Sequence, residues 1–147
     1  NEHQEALDAF SKATTLSGNV HEAWNYKGYV FEEIGKQQEA LDAYDKAIQI
    51  KPDFVIAFNN KGLLQDTMGN HLEAIETYNK ALTIKPDLDI AWFNKACAEA
   101  LLSNKEGALS SLKKAIELNQ SFKRIARTNP DFSKIKDDPD FINVVGN

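Results

Sequence analysis

The sequence predicts an all-α fold, an α-α superhelix (solenoid) of stacked helical hairpins, and three observations support this prediction. An aromatic residue recurs every 34 positions, at Trp24, Phe58 and Trp92. Apolar residues within each period lie three and four positions apart, which is the spacing of one face of a helix. Glycines or Pro-Asp pairs interrupt these apolar patterns at matching places. Because a short helical pair cannot cover its own apolar faces, successive pairs must stack.

The first element, residues 1–20, is predicted to be a single helix. When the repeats are aligned, Ala6, Phe10 and Ala13 match Ala, aromatic and Ala positions in the second helix of the following repeat. No residues before them match its first helix. The chain opens on Asn1 and not on a methionine. We therefore expect the sequence to be part of a longer protein in which the partner of this helix comes before it.

The next two elements, residues 21–54 and 55–88, align without a gap, and each is predicted to form a helical hairpin. In each, a glycine able to adopt the left-handed conformation separates two apolar stripes. A Pro-Asp pair then ends the second helix, and its Asp is expected to cap the next helix. These residues are Gly35, Pro52 and Asp53 in the first unit and Gly69, Pro86 and Asp87 in the second. Another glycine, Gly28 or Gly62, is expected to let the two helices approach closely.

A fourth element, residues 89–122, keeps the same pattern with several substitutions. Ala96 replaces the packing glycine, and Leu112 replaces a tyrosine of the second helix. Ser103 stands where the other units have the loop glycine, and it is less suited to end a helix. We expect a third hairpin here with a less favourable turn.

The repeated columns resemble the motif of the tetratricopeptide repeat family, a 34-residue pattern of Trp, Leu-Gly, Tyr, Ala, an aromatic residue and Pro. The matching residues are Trp24, Phe58 and Trp92, then Gly28 and Gly62, then Ala40, Ala74 and Ala108, then Tyr44 and Tyr78, then Pro52 and Pro86. Gln65 and Glu99 stand where the motif has tyrosine, which is not expected to disturb the fold. The resemblance covers residues 1–122. It implies that the first helix of each unit lines a concave surface on which a peptide usually lies.

The last element, residues 123–147, is predicted to be a tail that caps the third hairpin. Its pattern predicts short helical turns whose apolar side chains anchor the tail on the hairpin. The expected anchors include Ile125, Phe132, Ile135, Phe141, Ile142, Val144 and Val145. An alternative is that Phe132, Phe141 and Ile142 fold back into the concave groove as an autoinhibitory ligand.

Composition excludes several functional classes. The 147 residues contain 17 Lys and Arg against 22 Asp and Glu, giving a net charge of −5. A duplex nucleic-acid binder normally carries the opposite charge. No apolar run approaches the roughly 20 residues of a membrane helix, and residues 1–10 lack the features of a signal peptide. We therefore expect a cytoplasmic protein that binds neither nucleic acid nor membrane.

No residue pattern of an enzyme, metal site or cofactor site is evident. His3, His21 and His71 are far apart, and they are expected to be solvent-facing residues near helix starts. The single cysteine, Cys97, lies in an apolar stretch and is expected to be buried. We therefore predict no catalytic residues, no metal and no cofactor.

The residues expected to meet a peptide lie opposite the packing stripe of each first helix. They are Tyr26, Tyr29, Glu33, Asn59, Asn60, Leu63, Asp66, Phe93 and Asn94. Asn60 and Asn94 share a column, and their amides can pair with an extended backbone. Carboxylates dominate one end of this face and apolar residues the other, so we expect a segment with basic residues at one end and an aliphatic or aromatic anchor at the other.

The predicted function is therefore a non-enzymatic interaction module that binds a protein or peptide in the concave groove. An alternative is a structural spacer or a self-association segment, in which the exposed apolar edge of the first helix pairs with a second copy.

Overall fold

A computed structural model describes residues 2–16 and 20–146, and this part of the chain is entirely helical, without strands. The helices are α1 (Glu2–Leu16), α2 (Val20–Glu33), α3 (Gln37–Ile50), α4 (Val55–Thr67), α5 (His71–Ile84), α6 (Asp89–Leu101), α7 (Lys105–Leu118), α8 (Phe122–Thr128) and α9 (Pro139–Val145). A single 3-10 turn, Pro130–Phe132, lies between α8 and α9. Part of the predicted first element, at residues 1 and 17–19, falls outside the described residues.

Consecutive helices in the described ranges pack as three hairpins, formed by α2 with α3, α4 with α5, and α6 with α7. The hairpins stack because the second helix of one packs against the first helix of the next. At the first junction, Leu64 of α4 packs against Ala40 and Tyr44 of α3. At the second, Ala98 of α6 packs against Ala74 and Tyr78 of α5. The predicted all-α solenoid is confirmed.

A tyrosine ring fills the space left by the packing glycine in the first two hairpins. A Cβ atom on Gly28 would lie 2.6 Å from Cε1 of Tyr44, and one on Gly62 would lie 2.6 Å from Cε1 of Tyr78. Both tyrosines are fully buried. The glycine at this position of the repeat therefore makes room for a tyrosine ring from the second helix. In the third hairpin, Ala96 and Leu112 replace the glycine and the tyrosine.

The turns inside the hairpins use the left-handed conformation, as predicted. Gly35 has φ +77° and Gly69 has φ +85°. Ser103 adopts φ +61° at the equivalent position, although it carries a Cβ atom that disfavours this region. The third hairpin therefore keeps the geometry of the turn at the cost of local strain.

We expect Ser103→Gly to raise the free energy of unfolding by about 0.5–1 kcal/mol, because glycine removes the left-handed penalty but gains freedom in the unfolded chain. The hydrogen bond that Ser103 accepts from Lys134 is exposed, so its loss contributes little. Urea denaturation followed by circular dichroism measures the change. The matched variant Gly35→Ser should lower stability, because it places a Cβ atom on a left-handed residue with φ +77°. No atom lies within 4 Å of the added Cβ, so a steric clash does not contribute. A destabilised Ser103→Gly protein would contradict the prediction.

The prediction that Asp53 and Asp87 cap the following helices is wrong. The N-cap residues are Phe54 for α4 and Leu88 for α6, and neither provides a side-chain cap. Each helix begins one residue later than a capping aspartate would require. An apolar residue occupies the cap position in both helices, and the Phe54 ring packs edge-on against His21 at the start of α2.

Two buried polar pairs replace apolar contacts inside the second and third hairpins. Thr77 donates to Gln65 Oε1 over 2.7 Å, and Ser111 donates to Glu99 Oε2 over 2.7 Å. The corresponding positions of the first hairpin, Phe31 and Ala43, are apolar. Gln65 and Glu99, which replace the tyrosine of the repeat motif, are therefore each hydrogen-bonded by a hydroxyl group twelve residues later in the chain.

The tail packs on the third hairpin and forms one hydrophobic core with it. This core includes Phe93, Cys97, Leu109, Leu112 and Ile116 of the hairpin and Phe122, Ala126, Phe132, Ile135, Phe141 and Val145 of the following segment. The prediction that Ile125 and Ile142 are anchors is wrong, because both are exposed. Asn129 and Asp138 cap the turn and α9, each accepting a backbone N–H two residues later. The tail therefore covers the apolar end of the hairpin stack.

Candidate functional site

The first helices of the hairpins, α2, α4 and α6, are neighbours, and one side of each contributes to a shared surface that we call the inner face. The inner face consists of Glu22, Asn25, Tyr26, Tyr29 and Glu33 of α2, then Ile56, Asn59, Asn60, Leu63, Asp66 and Thr67 of α4, then Ile90, Phe93, Asn94, Cys97 and Leu101 of α6. All nine predicted peptide-contacting residues belong to it. The structure differs from expectation in which of them are accessible.

Asparagine pairs connect successive first helices across the inner face. Asn60 donates to Asn25 Oδ1 over 3.0 Å, and Asn94 donates to Asn59 Oδ1 over 3.1 Å. Asn60 and Asn94 therefore use one donor each to hold the units together. The side-chain amides of Asn60 and Asn94 each keep an acceptor oxygen and a second N–H, with which they can form hydrogen bonds to a ligand.

A cleft of about 390 Å³ lies between α2 and α4 on the inner face. It is lined by Glu22, Asn25, Tyr26, Tyr29, Phe54, Ile56 and Asn60. Most of its walls are apolar or aromatic, and the Asn60–Asn25 hydrogen bond joins its two sides. This combination of apolar walls with a few polar groups is typical of ligand-binding sites.

Large apolar side chains beside this cleft are exposed to solvent. Tyr26 is 55 % exposed, Tyr29 is 53 %, Ile56 is 52 % and Leu63 is 44 %. The Tyr26 ring stacks on Phe10 of α1 with 5.5 Å between centroids, which holds the ring in place at the edge of the cleft. Exposed apolar residues that cluster on one face commonly mark an interaction surface.

The charges of the inner face are negative. Glu22 and Glu33 are exposed. The lysines of the same helices lie elsewhere: Lys27 packs over the Trp24 ring, and Lys61 pairs with Asp45 of α3. The inner face therefore presents carboxylates without a neighbouring cation from its own helices.

Two other carboxylates have internal partners, namely Asp66 of the inner face and Glu32 beside it. Tyr44 donates to Glu32 Oε2 over 3.0 Å, and His71 Nδ1 lies 2.5 Å from Asp66 Oδ1. Burial raises the pKa of the Asp66 carboxyl, although its hydrogen bond with His71 acts in the opposite direction. His71 and His21 are half-buried, so the expectation of solvent-facing histidines holds only in part: each ring has one internal contact, that of His21 being edge-on against Phe54.

The tail covers the inner face of the third unit. Phe93 is only 5 % exposed, because its ring stacks on Phe122 at 4.5 Å between centroids and meets Phe132 edge-on. Asn129 donates to the Cys97 thiol over 3.5 Å. Burial raises the pKa of this thiol well above its usual range. The prediction that Cys97 is buried is confirmed. Phe93 is therefore not available to a ligand while the tail is in place.

Sequence reasoning missed several residues that shape this surface. Phe54 ends the first unit in the repeat alignment, yet it forms a wall of the cleft. Helical spacing predicts that Asn25 lies at the edge of the inner face. In the structure Asn25 is buried, and its side chain accepts the hydrogen bond from Asn60. The recurrence of asparagine at Asn25 and Asn59, 34 positions apart, was the signal that could have revealed the pairing.

Among the described residues, no group of three or more His, Cys, Asp or Glu side chains is arranged to hold a metal ion. Within the same part of the chain, none of the helices has the length and apolar character required to cross a bilayer.

Comparison with protein families identifies the repeats. A tetratricopeptide repeat family model matches residues 21–54 and 55–88, and a second tetratricopeptide repeat model matches residues 90–122. No curated protein matches the chain.

Solved structures share the fold. The crystal structure of MamA is 29 % identical to this chain, with a TM-score of 0.73 over 83 % of this chain and 71 % of that one. The MamA RS-1 ArsTM double mutant is 18 % identical, with a TM-score of 0.76 over 97 % of this chain and 83 % of that one. The first TPR of Spaghetti (RPAP3) bound to the HSP90 peptide SRMEEVD is also 18 % identical, with a TM-score of 0.69 over 82 % and 90 %. At 18 % identity, the last two show the fold alone.

Proposed function

Since the chain belongs to the tetratricopeptide repeat family, we propose that it is a non-enzymatic interaction module that binds a segment of another protein on the inner face of α2 and α4. The observation that carries this proposal is the exposed apolar strip formed by Tyr26, Tyr29, Ile56 and Leu63 beside the cleft. Burying such a strip against a partner gains about 25 cal/mol per Å² of apolar surface.

The segment is expected to be short. The third unit of the inner face is covered by the tail, as the buried position of Phe93 indicates. The open part therefore comprises the first two units and the start of the third, where Ile90 is still exposed. The sequence-based expectation of an apolar anchor in the third unit is replaced here by an anchor at Tyr29 and Leu63.

Charge favours a segment without acidic residues. The RPAP3 domain binds a peptide that contains two glutamates. In this chain, Glu22 and Glu33 are exposed on the inner face. Like charges in a partly desolvated site repel, so an acidic peptide of that kind is disfavoured here.

Selection from a peptide library tests the proposal directly. We expect a displayed library of random dodecapeptides to yield binders of the full chain, and the best of these, made synthetically, to give a measurable Kd by fluorescence polarisation. Tyr29→Ser combined with Leu63→Ser should weaken binding of that peptide at least tenfold, because both anchors are removed.

A matched control uses exposed aliphatic residues away from the inner face. Leu72 and Ile84 lie on α5 and are exposed to a similar or greater extent. Leu72→Ser combined with Ile84→Ser should leave the Kd unchanged. Failure to select any peptide, or equal losses in the two double variants, would refute binding at the inner face.

A further inference from the structure

We propose that the cleft between α2 and α4 is a specificity pocket that receives one lysine or arginine side chain of the bound segment. The inference rests on the proposed function, which places a protein segment on this face. It specifies the chemistry of one side chain of that segment, which has a cationic head group on an apolar stem.

The walls of the cleft fit the stem of such a side chain. Tyr26, Tyr29, Phe54 and Ile56 provide apolar and aromatic surface on both sides. Lysine and arginine bury their methylene stems against apolar surface while keeping the charged head near polar groups. Aromatic rings also attract a cation through their faces. The cleft volume of about 390 Å³ lies within the range of small ligand sites.

The charge of the cleft fits the head. Glu22 lines it, and the lining contains no lysine or arginine. None of the ion pairs between described residues includes the Glu22 carboxylate. An incoming ammonium or guanidinium group would pair with it at the edge of a partly apolar cavity, where a charged hydrogen bond is stronger than in water.

Other occupants fit less well. An acidic side chain would meet Glu22 with the same charge. An uncharged aliphatic side chain would fill the apolar walls, yet it would leave the Glu22 carboxylate partly desolvated and without a partner. The polar amides of Asn25 and Asn60 in the lining likewise suit a donor-rich head, since each retains unused acceptor capacity.

The test uses the peptide selected on the full chain. We expect the selected dodecapeptides to be enriched in lysine or arginine at one position. Replacing that residue by norleucine, which keeps the stem and removes the charge, should weaken binding about tenfold. Glu22→Gln should weaken binding of the parent peptide by a similar factor and should have little further effect on the norleucine peptide.

A matched variant controls for charge and helix position. Glu39 is also an exposed glutamate in the first turn of a helix, but it lies on α3. Glu39→Gln should leave the Kd of both peptides unchanged, and circular dichroism should show that both variants keep their helix content.

The outcomes separate the two proposals. Selected peptides without an enriched basic position, or equal binding of lysine and norleucine peptides, overturn the pocket while binding that depends on Tyr29 and Leu63 still supports the module. Equal losses in Glu22→Gln and Glu39→Gln likewise overturn it. Absence of any binder, or binding indifferent to Tyr29 and Leu63, overturns both.

Discussion

Phe132→Ala is expected to lower the free energy of unfolding by about 3–5 kcal/mol, the usual cost of removing a fully buried phenylalanine. Phe132 is almost completely buried, and its ring contacts Phe93 at 6.0 Å and Phe141 at 5.4 Å between centroids. The ring joins the inner face of α6 to α9, so its loss opens a cavity that several elements share. Urea denaturation monitored by circular dichroism gives the change.

The control for this variant is another large apolar residue of the tail. Ile142 is 38 % exposed, and Ile142→Ala should change stability by less than about 1 kcal/mol. Equal effects of the two substitutions would contradict the packing of the tail described above.

The Cys97 thiol provides a second readout of the same variant. Cys97 is buried and receives a hydrogen bond from Asn129 at the start of the turn. Loosening the turn by Phe132→Ala should expose the thiol, so its reaction with a thiol reagent should be faster than in the native chain. An unchanged rate would mean that the turn stays in place without the ring.

The same variant separates a capping tail from an inhibitory one. Phe132 belongs to the core of the third hairpin, so we expect a loss of stability without a gain in affinity for the selected peptide. If stability were retained and binding became tighter, the tail would instead be an intramolecular competitor for the inner face.

Gly62→Ala is expected to lower the free energy of unfolding by about 2 kcal/mol. The added Cβ would lie 2.6 Å from Cε1 of Tyr78, whose side chain is fully buried. Overpacking costs about 1–3 kcal/mol, and the better helix propensity of alanine offsets about 1 kcal/mol at most. Thermal and urea denaturation measure the net change.

Tyr78→Leu in the same chain should recover most of this loss. The third hairpin already uses the Ala96 and Leu112 pair at these positions. The Tyr78 hydroxyl is buried without a hydrogen-bond partner in the described part of the chain, so its removal sacrifices no bond. A double variant as unstable as Gly62→Ala alone would show that the glycine is needed for another reason.

The first hairpin provides the matched comparison. Gly28 and Tyr44 repeat the same contact, but the Tyr44 hydroxyl donates to Glu32. The double variant Gly28→Ala with Tyr44→Leu should therefore remain about 1 kcal/mol less stable than its counterpart in the second hairpin, which is the net worth of one hydrogen bond. Equal recovery in both hairpins would contradict this difference.

Local features of the sequence predict the hairpins correctly. The helical spacing of the apolar residues and the glycines at Gly35 and Gly69 indicate both the helices and their turns. These features depend on residues within a few positions of one another, which interact in any helical hairpin. The capping prediction for Asp53 and Asp87 failed because each following helix begins one residue later than that prediction requires.

The candidate site was only partly predictable. The inner face itself followed from the repeat, and Tyr26, Tyr29 and Leu63 are exposed on it. The accessibility of Phe93 did not follow, because it depends on the path of a tail that lies outside the repeat pattern. Sequence spacing shows which residues share a helix face, but it does not show what covers that face.

The sequence by itself determined the repeated helical hairpin and the face that each first helix turns away from its own partner, because both depend on a 34-residue periodicity of side-chain size and polarity. Tertiary structure alone decided which residues of that face are in contact with one another and which are accessible to solvent. It paired Asn60 with Asn25 across two units, assembled the cleft from α2 and α4, and placed Phe132 over Phe93. These contacts join residues about 35 to 40 positions apart, and their geometry is set by the stacking of whole helices.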